Sequence, residues 1–194
     1  MLDVIRATIH DSIDVKNALL ENTSLLTEIH KAAASCIGAY RRGNRILLAG
    51  NGGSAADAQH IAAEFVSKFE FDRPALAAIA VTTDTSMLTA IANDYGYENV
   101  FRRQLEANGR TGDVFIGIST SGKSRNILCA LECCPKLGIT SIGLTGDNGH
   151  MATYCDTCIC VPSTSTARIQ EAHILIGHII CKLVEAEFFT FPAL

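Results

Sequence analysis

The chain opens with apolar residues every fourth position: Ile5, Ile9 and Ile13 recur through a stretch from Leu2 to about Leu20. That period predicts an amphipathic helix, and a second helical stretch follows from about Ser24 to Arg42. After residue 44 the pattern changes. Short runs that are apolar at consecutive positions occur at Arg45–Ala49, Ala77–Thr82, Asp113–Ser119, Thr140–Thr145 and Thr157–Pro162. Between and after them lie segments of helical character near 54–68, 85–93, 97–109, 124–137 and 166–189. Strands apolar on both faces are buried on both faces, so the alternation predicts a parallel sheet covered by helices on each side. The fold class is therefore α/β: a three-layer sandwich with a five-stranded parallel sheet, preceded by an N-terminal helical pair over residues 1–43. The last helix is apolar nearly all round, and a subunit interface is the expected place for such a helix to be buried.

Two strand-to-helix junctions carry the candidate chemistry. In the first, Gly50-Asn51-Gly52-Gly53 follows an apolar run and leads into Ser54, a residue suited to N-capping the next helix. Glycines there permit positive φ and leave no Cβ in the way of a ligand, and a helix N-terminus attracts anions or hydroxyl-rich molecules. A tight connection without a ligand is the plain alternative. On the helix that follows, His60 and Glu64 are four apart and project from one face. They can share a metal ion, work as a proton-transfer pair, or merely steady the helix surface. The second junction, Ser119-Thr120-Ser121-Gly122-Lys123-Ser124, supplies hydroxyls beside backbone N–H groups, a set that can surround a phosphate. Both junctions are expected at the carboxyl edge of the same sheet, where α/β proteins hold their ligands. Lys123 and Arg125 can add attraction for an anion, with solvated surface charge as the plain reading.

Composition narrows the class. Of the 194 residues 48% are hydrophobic and 19% charged, which describes a chain with a packed core. A net charge of −4 with no long basic run argues against binding nucleic-acid backbones. The start of the chain has Asp3 and Asp11 and no apolar core of the signal-peptide kind, which leads to the expectation of a cytoplasmic protein. In a reducing compartment the eight cysteines are expected to act mostly as small buried hydrophobes, and Cys155-Asp156-Thr157-Cys158 has no second pair at zinc-finger spacing. No membrane span is expected, because polar residues interrupt the last helix too often.

The segments GNGGSA, TAIANDYGYENVF, GDVFIGISTSGKS and RIQEAHILIGHII, in this order and spacing, resemble the sugar isomerase (SIS) domain of bacterial phosphoheptose isomerases across nearly the whole chain, 1–194, as one domain. The resemblance implies isomerisation of sedoheptulose 7-phosphate to D-glycero-D-manno-heptose 7-phosphate, the first step towards the heptose of lipopolysaccharide. It also implies a homotetramer with active sites between subunits, and one zinc ion per subunit on residues matching His60, Glu64, Gln170 and His178. Substrate contacts would fall on Asn51, Gly52, Gly53, Asn93, Asp94, Ser119, Thr120, Ser121, Ser124 and Gln170. Glu64 and His178 would be the catalytic acid–base pair. Residue by residue, plainer readings stand beside these. Asn93 and Asp94 sit in what reads as a turn, Gln170 can cap a helix, and His178 can be a core histidine; Asp57 and Gln59 read as structural or as supports behind the site residues. Gln170 and His178 are eight apart, which on one helix separates their Cα atoms by about 12 Å. A competing class is a non-catalytic tetramer of the same scaffold that binds a replication-initiator protein. A third is an isomerase or binding module for another sugar phosphate.

Overall fold

The computed structural model describes residues 1–147 and 149–189; the rest of the span assigned above to one domain, including 190–194, lies outside the described residues. Two helices lead: α1 (Leu2–Glu21) and α2 (Thr23–Arg41). They break at Asn22, whose side chain accepts from the backbone N–H of Leu25 and caps α2. The alternation that follows is β1 (Ile46–Ala49), α3 (Gly53–Val66), β2 (Ala78–Ala80), α4 (Thr85–Tyr95), α5 (Val100–Asn108), β3 (Val114–Ser119), α6 (Arg125–Leu137), β4 (Thr140–Thr145), β5 (Thr157–Cys160) and α7 (Thr166–Phe188). All five strands pair in parallel in the order β2-β1-β3-β4-β5.

The sheet separates two apolar layers, as period-2 side chains require. On one face Leu48, Ile116, Ile142 and Ile159 meet the buried sides of α2, α3 and α7. On the other, Leu47 and Phe115 pack under α5 and α6. The three-layer prediction holds, with the N-terminal pair in place. α7 buries one side within its own chain, against α2 and α3, through Ile169, Ala172, His173, Ile176, Gly177, Ile180, Cys181 and Val184. At Gly177 the helices come close: a Cβ there would lie 2.5 Å from Cδ1 of Ile61 on α3.

Three local readings change. α3 begins at Gly53, so Ser54 is buried in its first turn and the N-cap is Gly52, at φ 56°. The reason is that Gly52 makes the turn itself; once past it the backbone is already helical, and Ala55 and Ala56 donate to the Gly52 carbonyl. α4 runs to Tyr95, so Asn93 and Asp94 lie in its last turn and the chain reverses at Gly96, where φ is 84°. Asn and Asp tolerate a turn, but only the glycine takes positive φ without strain. The stretch expected as one helix over 97–109 is a 3-10 turn, Tyr97–Asn99, followed by α5. A second 3-10 turn, His150–Tyr154, has no counterpart in the sequence reading.

Candidate functional site

The site is built on α3 and α7, which cross the same face of the sheet side by side. α3 carries His60 and Glu64 one turn apart, with Nε2 of His60 2.9 Å from Oε1 of Glu64. α7 brings His178 to the same point, its Nε2 3.5 Å from Nε2 of His60. The two imidazoles meet edge to face with centroids 5.1 Å apart, and Phe69 backs the His178 ring at 5.3 Å. Ligand atoms of His60, Glu64 and His178 all lie within 4.8 Å of one another, the one such group of three among the described residues. Two nitrogen donors and one carboxylate oxygen aimed at a common point suit a borderline divalent cation such as zinc. The residues present therefore fit a metal.

Gln170, the fourth expected ligand, lies against the glycine loop. Its amide lies on Gly53, so close that a Cβ there would collide with it. α7 is continuous from Gln170 to His178, which keeps the two residues about two turns apart. Of the expected set, His60, Glu64 and His178 converge on one point, and the Gln170 amide lies beside Gly53.

Asp57 sits one turn before His60 on α3, and its Oδ2 is buried without a hydrogen-bond partner. Burial raises its carboxyl above the ordinary range, and the nearby His60 works against that shift. The sequence reading set Asp57 aside as structural; its i, i+3 spacing to His60 was the available signal. His173, by contrast, is structural: it is fully buried, with Nε2 3.2 Å from the Thr145 carbonyl.

The scaffold behind this corner is held by an ion pair absent from the sequence reading. Glu185 of α7 accepts from the N–H groups of Phe69 and Glu70 and from Nε of Arg73 at 2.8 Å. Arg73 in turn donates to the carbonyls of Glu64 and Phe65 at the end of α3. Both side chains are only 2% exposed. Burial by itself would raise the Glu185 carboxyl, but the two backbone donors and Arg73 outweigh it and hold the group below its ordinary range.

The serine-rich loop between β3 and α6 separates two cavities. One, of about 240 Å³, is bounded by Thr120, Ser121 and Lys123 on the loop and by Ser163, Thr164 and Thr166 at the start of α7. Hydroxyls, an ammonium and a helix N-terminus together make a setting for an anion. Asp147 also reaches this wall. The other cavity, of about 440 Å³, lies between the glycine loop and α6 and is lined by Asn51, Tyr97, Glu98, Ser124, Arg125 and Asn126. The wall between them is tied together by Ser119 Oγ, which donates to Ser124 Oγ at 2.9 Å. Asn93 and Asp94 are exposed and hydrogen-bonded to each other at 2.8 Å; the side chain that reaches the glycine loop from that region is Tyr97, whose hydroxyl is 3.0 Å from Asn51 Oδ1. Asn126 and Tyr97 are site residues the sequence reading missed, since an Asn in a first helical turn and a Tyr after a Gly look like capping and turn chemistry.

Residues 13–146 match the SIS domain family. The chain is 62% identical over 190 residues to a phosphoheptose isomerase of Aneurinibacillus thermoaerophilus, covering 97% of this chain and 96% of that one. This chain belongs to the phosphoheptose isomerase family. A second member, phosphoheptose isomerase 2 of Campylobacter jejuni, is 66% identical over 180 residues, covering 92% of this chain and 90% of its own. Among solved structures, phosphoheptose isomerase GmhA from Neisseria gonorrhoeae superposes with a TM-score of 0.89 at 41% identity, covering 95% of this chain and 98% of that one. The phosphoheptose isomerase from Francisella tularensis gives 0.91 at 36% identity over the same shares. No helix among the described residues is long and apolar enough to cross a membrane.

Proposed function

We propose that this phosphoheptose isomerase family member converts sedoheptulose 7-phosphate to D-glycero-D-manno-heptose 7-phosphate in the cytoplasm, supplying the first step towards ADP-heptose and lipopolysaccharide heptose. The observation that supports this most strongly is the convergence of Glu64 and His178, 114 positions apart, with His60 at one point. A scaffold that only binds another protein has no chemical need for a carboxylate and an imidazole there, and the relatives named above are isomerases.

Moving a carbonyl from C2 to C1 requires a carbon-bound proton to be taken and returned while negative charge develops on oxygen. Glu64 is the base that moves the proton between C1 and C2; a carboxylate suits that role because both carbons lie within reach of one group. His178 is the acid–base partner at the sugar oxygens, its ring held between His60 and Phe69 so that one orientation is favoured. Ser119, Thr120, Ser121 and Ser124, with Lys123 nearby, hold the phosphate, and Asn51, Gly52, Gly53, Asn93, Asp94 and Gln170 address the sugar. His60, Glu64 and His178 would hold one zinc ion per subunit; bound there, zinc supplies Lewis-acid polarisation of the carbonyl. Gln170, the fourth donor of the family pattern, we assign first to the sugar end, where its amide rests on Gly53. The assembly is a homotetramer with active sites between subunits, and the N-terminal helices contribute to it.

The test is product formation from sedoheptulose 7-phosphate by the purified, zinc-supplemented protein, with Glu64→Gln as control. The parent is expected to turn over, and loss of a catalytic proton-transfer group should lower kcat by about 10²–10⁴-fold. Full activity in Glu64→Gln would remove Glu64 as the base. A folded but inactive parent would move the assignment to another sugar phosphate or to the scaffold class.

A further inference from the structure

Asn126, in the first turn of α6, is 3% exposed and has no part in the scheme above. Its side chain nevertheless grips the glycine loop. Asn126 Oδ1 accepts from the backbone N–H of Ile127 and from Nδ2 of Asn51, both at 3.0 Å, and Asn126 Nδ2 donates to Asn51 Oδ1 at 2.8 Å. The two ends of an amide have the same shape, so its orientation has to follow from its partners. A backbone N–H can only donate, so the Ile127 N–H, shared at 3.0 Å between the Ser124 carbonyl and Asn126, favours oxygen at that end of Asn126. Asn126 nitrogen then faces Asn51, which must turn its own oxygen there. The Tyr97 hydroxyl, 3.0 Å from that oxygen, is consequently the donor in their contact.

The chain of constraints decides what Asn51 has left to offer. Its oxygen already takes two donors, and one of its two N–H bonds is spent on Asn126. The other N–H is the group available to the cavity that Asn51 lines with Tyr97, Ser124 and Asn126. We propose that Asn126, with Tyr97, is a positioning residue that locks the Asn51 amide as a single N–H donor for a hydroxyl oxygen of the open-chain sugar phosphate. The proposal rests on the sugar-phosphate reading of the site. An unlocked Asn51 would present oxygen or nitrogen at random and would have to be ordered when substrate arrives, which weakens binding rather than chemistry.

A double-mutant cycle tests it: Asn51→Ala, Asn126→Ala and the pair, assayed with sedoheptulose 7-phosphate. Each single variant is expected to raise KM by roughly 5–20-fold with kcat within about threefold of the parent. Because Asn126 acts through Asn51, the pair should be within about twofold of Asn51→Ala alone. Losses that multiply, or a parent-like KM in Asn126→Ala, overturn the proposal. Asn126→Asp guards against a folding defect, since it keeps the acceptor for Ile127 but sets a second acceptor against Asn51 Oδ1, and it should show the same KM rise.

A second measurement is independent of turnover. The side-chain amide signal of Asn51 in a ¹⁵N–¹H spectrum, identified by its loss in Asn51→Ala, should shift in both Tyr97→Phe and Asn126→Asp. A signal unmoved by both refutes the lock even if the protein is inactive on this sugar. Conversely, an inactive parent whose Asn51 signal moves would strike the isomerase assignment and leave the lock standing.

Discussion

At the scale of single residues, the site depends on where hydrogen-bonding groups are denied or granted partners. A Cβ at Gly53 would lie 2.4 Å from the Gln170 amide nitrogen, so a larger residue there would push the Gln170 side chain out of its place. His173 shows the opposite case, a titratable group sealed in the core. Burial lowers its pKa to about 4, against which the Thr145 carbonyl pulls in the other direction. The unfolded chain therefore takes up this proton near pH 6.5 and the folded one only near 4, so the stability His173 permits is fully present above 6.5 and is lost as pH falls towards 4. The difference is on the order of 3 kcal/mol. His173→Gln keeps a donor for Thr145 without the titration, and urea unfolding at pH 7 and pH 4 should show a pH loss smaller by about that amount than in the parent. An equal loss in both proteins would mean that His173 does not carry it. Of these details the sequence disclosed His60 and Glu64, because i, i+4 partners announce themselves on a helix. It could not disclose that Asn126 holds Asn51, since the two are 75 positions apart.

Between elements, the decisive contact is the one that locks the end of α3 to α7. Arg73 carries no motif, yet it caps the last carbonyls of the helix bearing Glu64 and pairs with buried Glu185. Removing one member of a buried, hydrogen-bonded pair strands the other, a loss of about 3–5 kcal/mol. Arg73→Ala should therefore lower unfolding stability by that amount in denaturant titrations. Arg73→Lys, which restores charge without the planar fork, should recover only part of it. A loss of less than about 1 kcal/mol in Arg73→Ala would place the clamp in solvent rather than in the core. The helix and strand positions themselves were legible, because short consecutive apolar runs read as strands buried on both faces and longer amphipathic segments read as helices. Their ends were less so: Gly52 and Gly96 set the boundaries of α3 and α4 through positive φ, which outweighs the capping preferences of Ser54, Asn93 and Asp94.

For the whole molecule, the exposed apolar stripe of α1 is the feature a single chain leaves unexplained. Ile5, Ile9 and Ile13 are 51%, 54% and 45% exposed, in line on one side of a helix whose contacts within the chain are with α2 and α7. Covering such a stripe is what a subunit contact does. If the N-terminal helices assemble the tetramer, Ile9→Asp should reduce the particle mass from about four chains of 20.7 kDa to one or two, as read by light scattering on a sizing column. A parent-like mass would take α1 out of the assembly contact.

By itself the sequence determined the layers, the strand–helix alternation, the glycine-rich and serine-rich loops and the His60–Glu64 pair, all of which are written in spacings of a few residues. The tertiary structure brings His178 to that pair, where only the family resemblance had put it, and it alone decided that Gln170 rests on Gly53 and that Asn126 and Arg73 hold the site from behind. The physical reason is range. Hydrophobic period and turn chemistry act between near neighbours along the chain, whereas these contacts join residues from 75 to more than 100 positions apart, and they exist only once the order β2-β1-β3-β4-β5 has laid α3, α6 and α7 around one edge of the sheet.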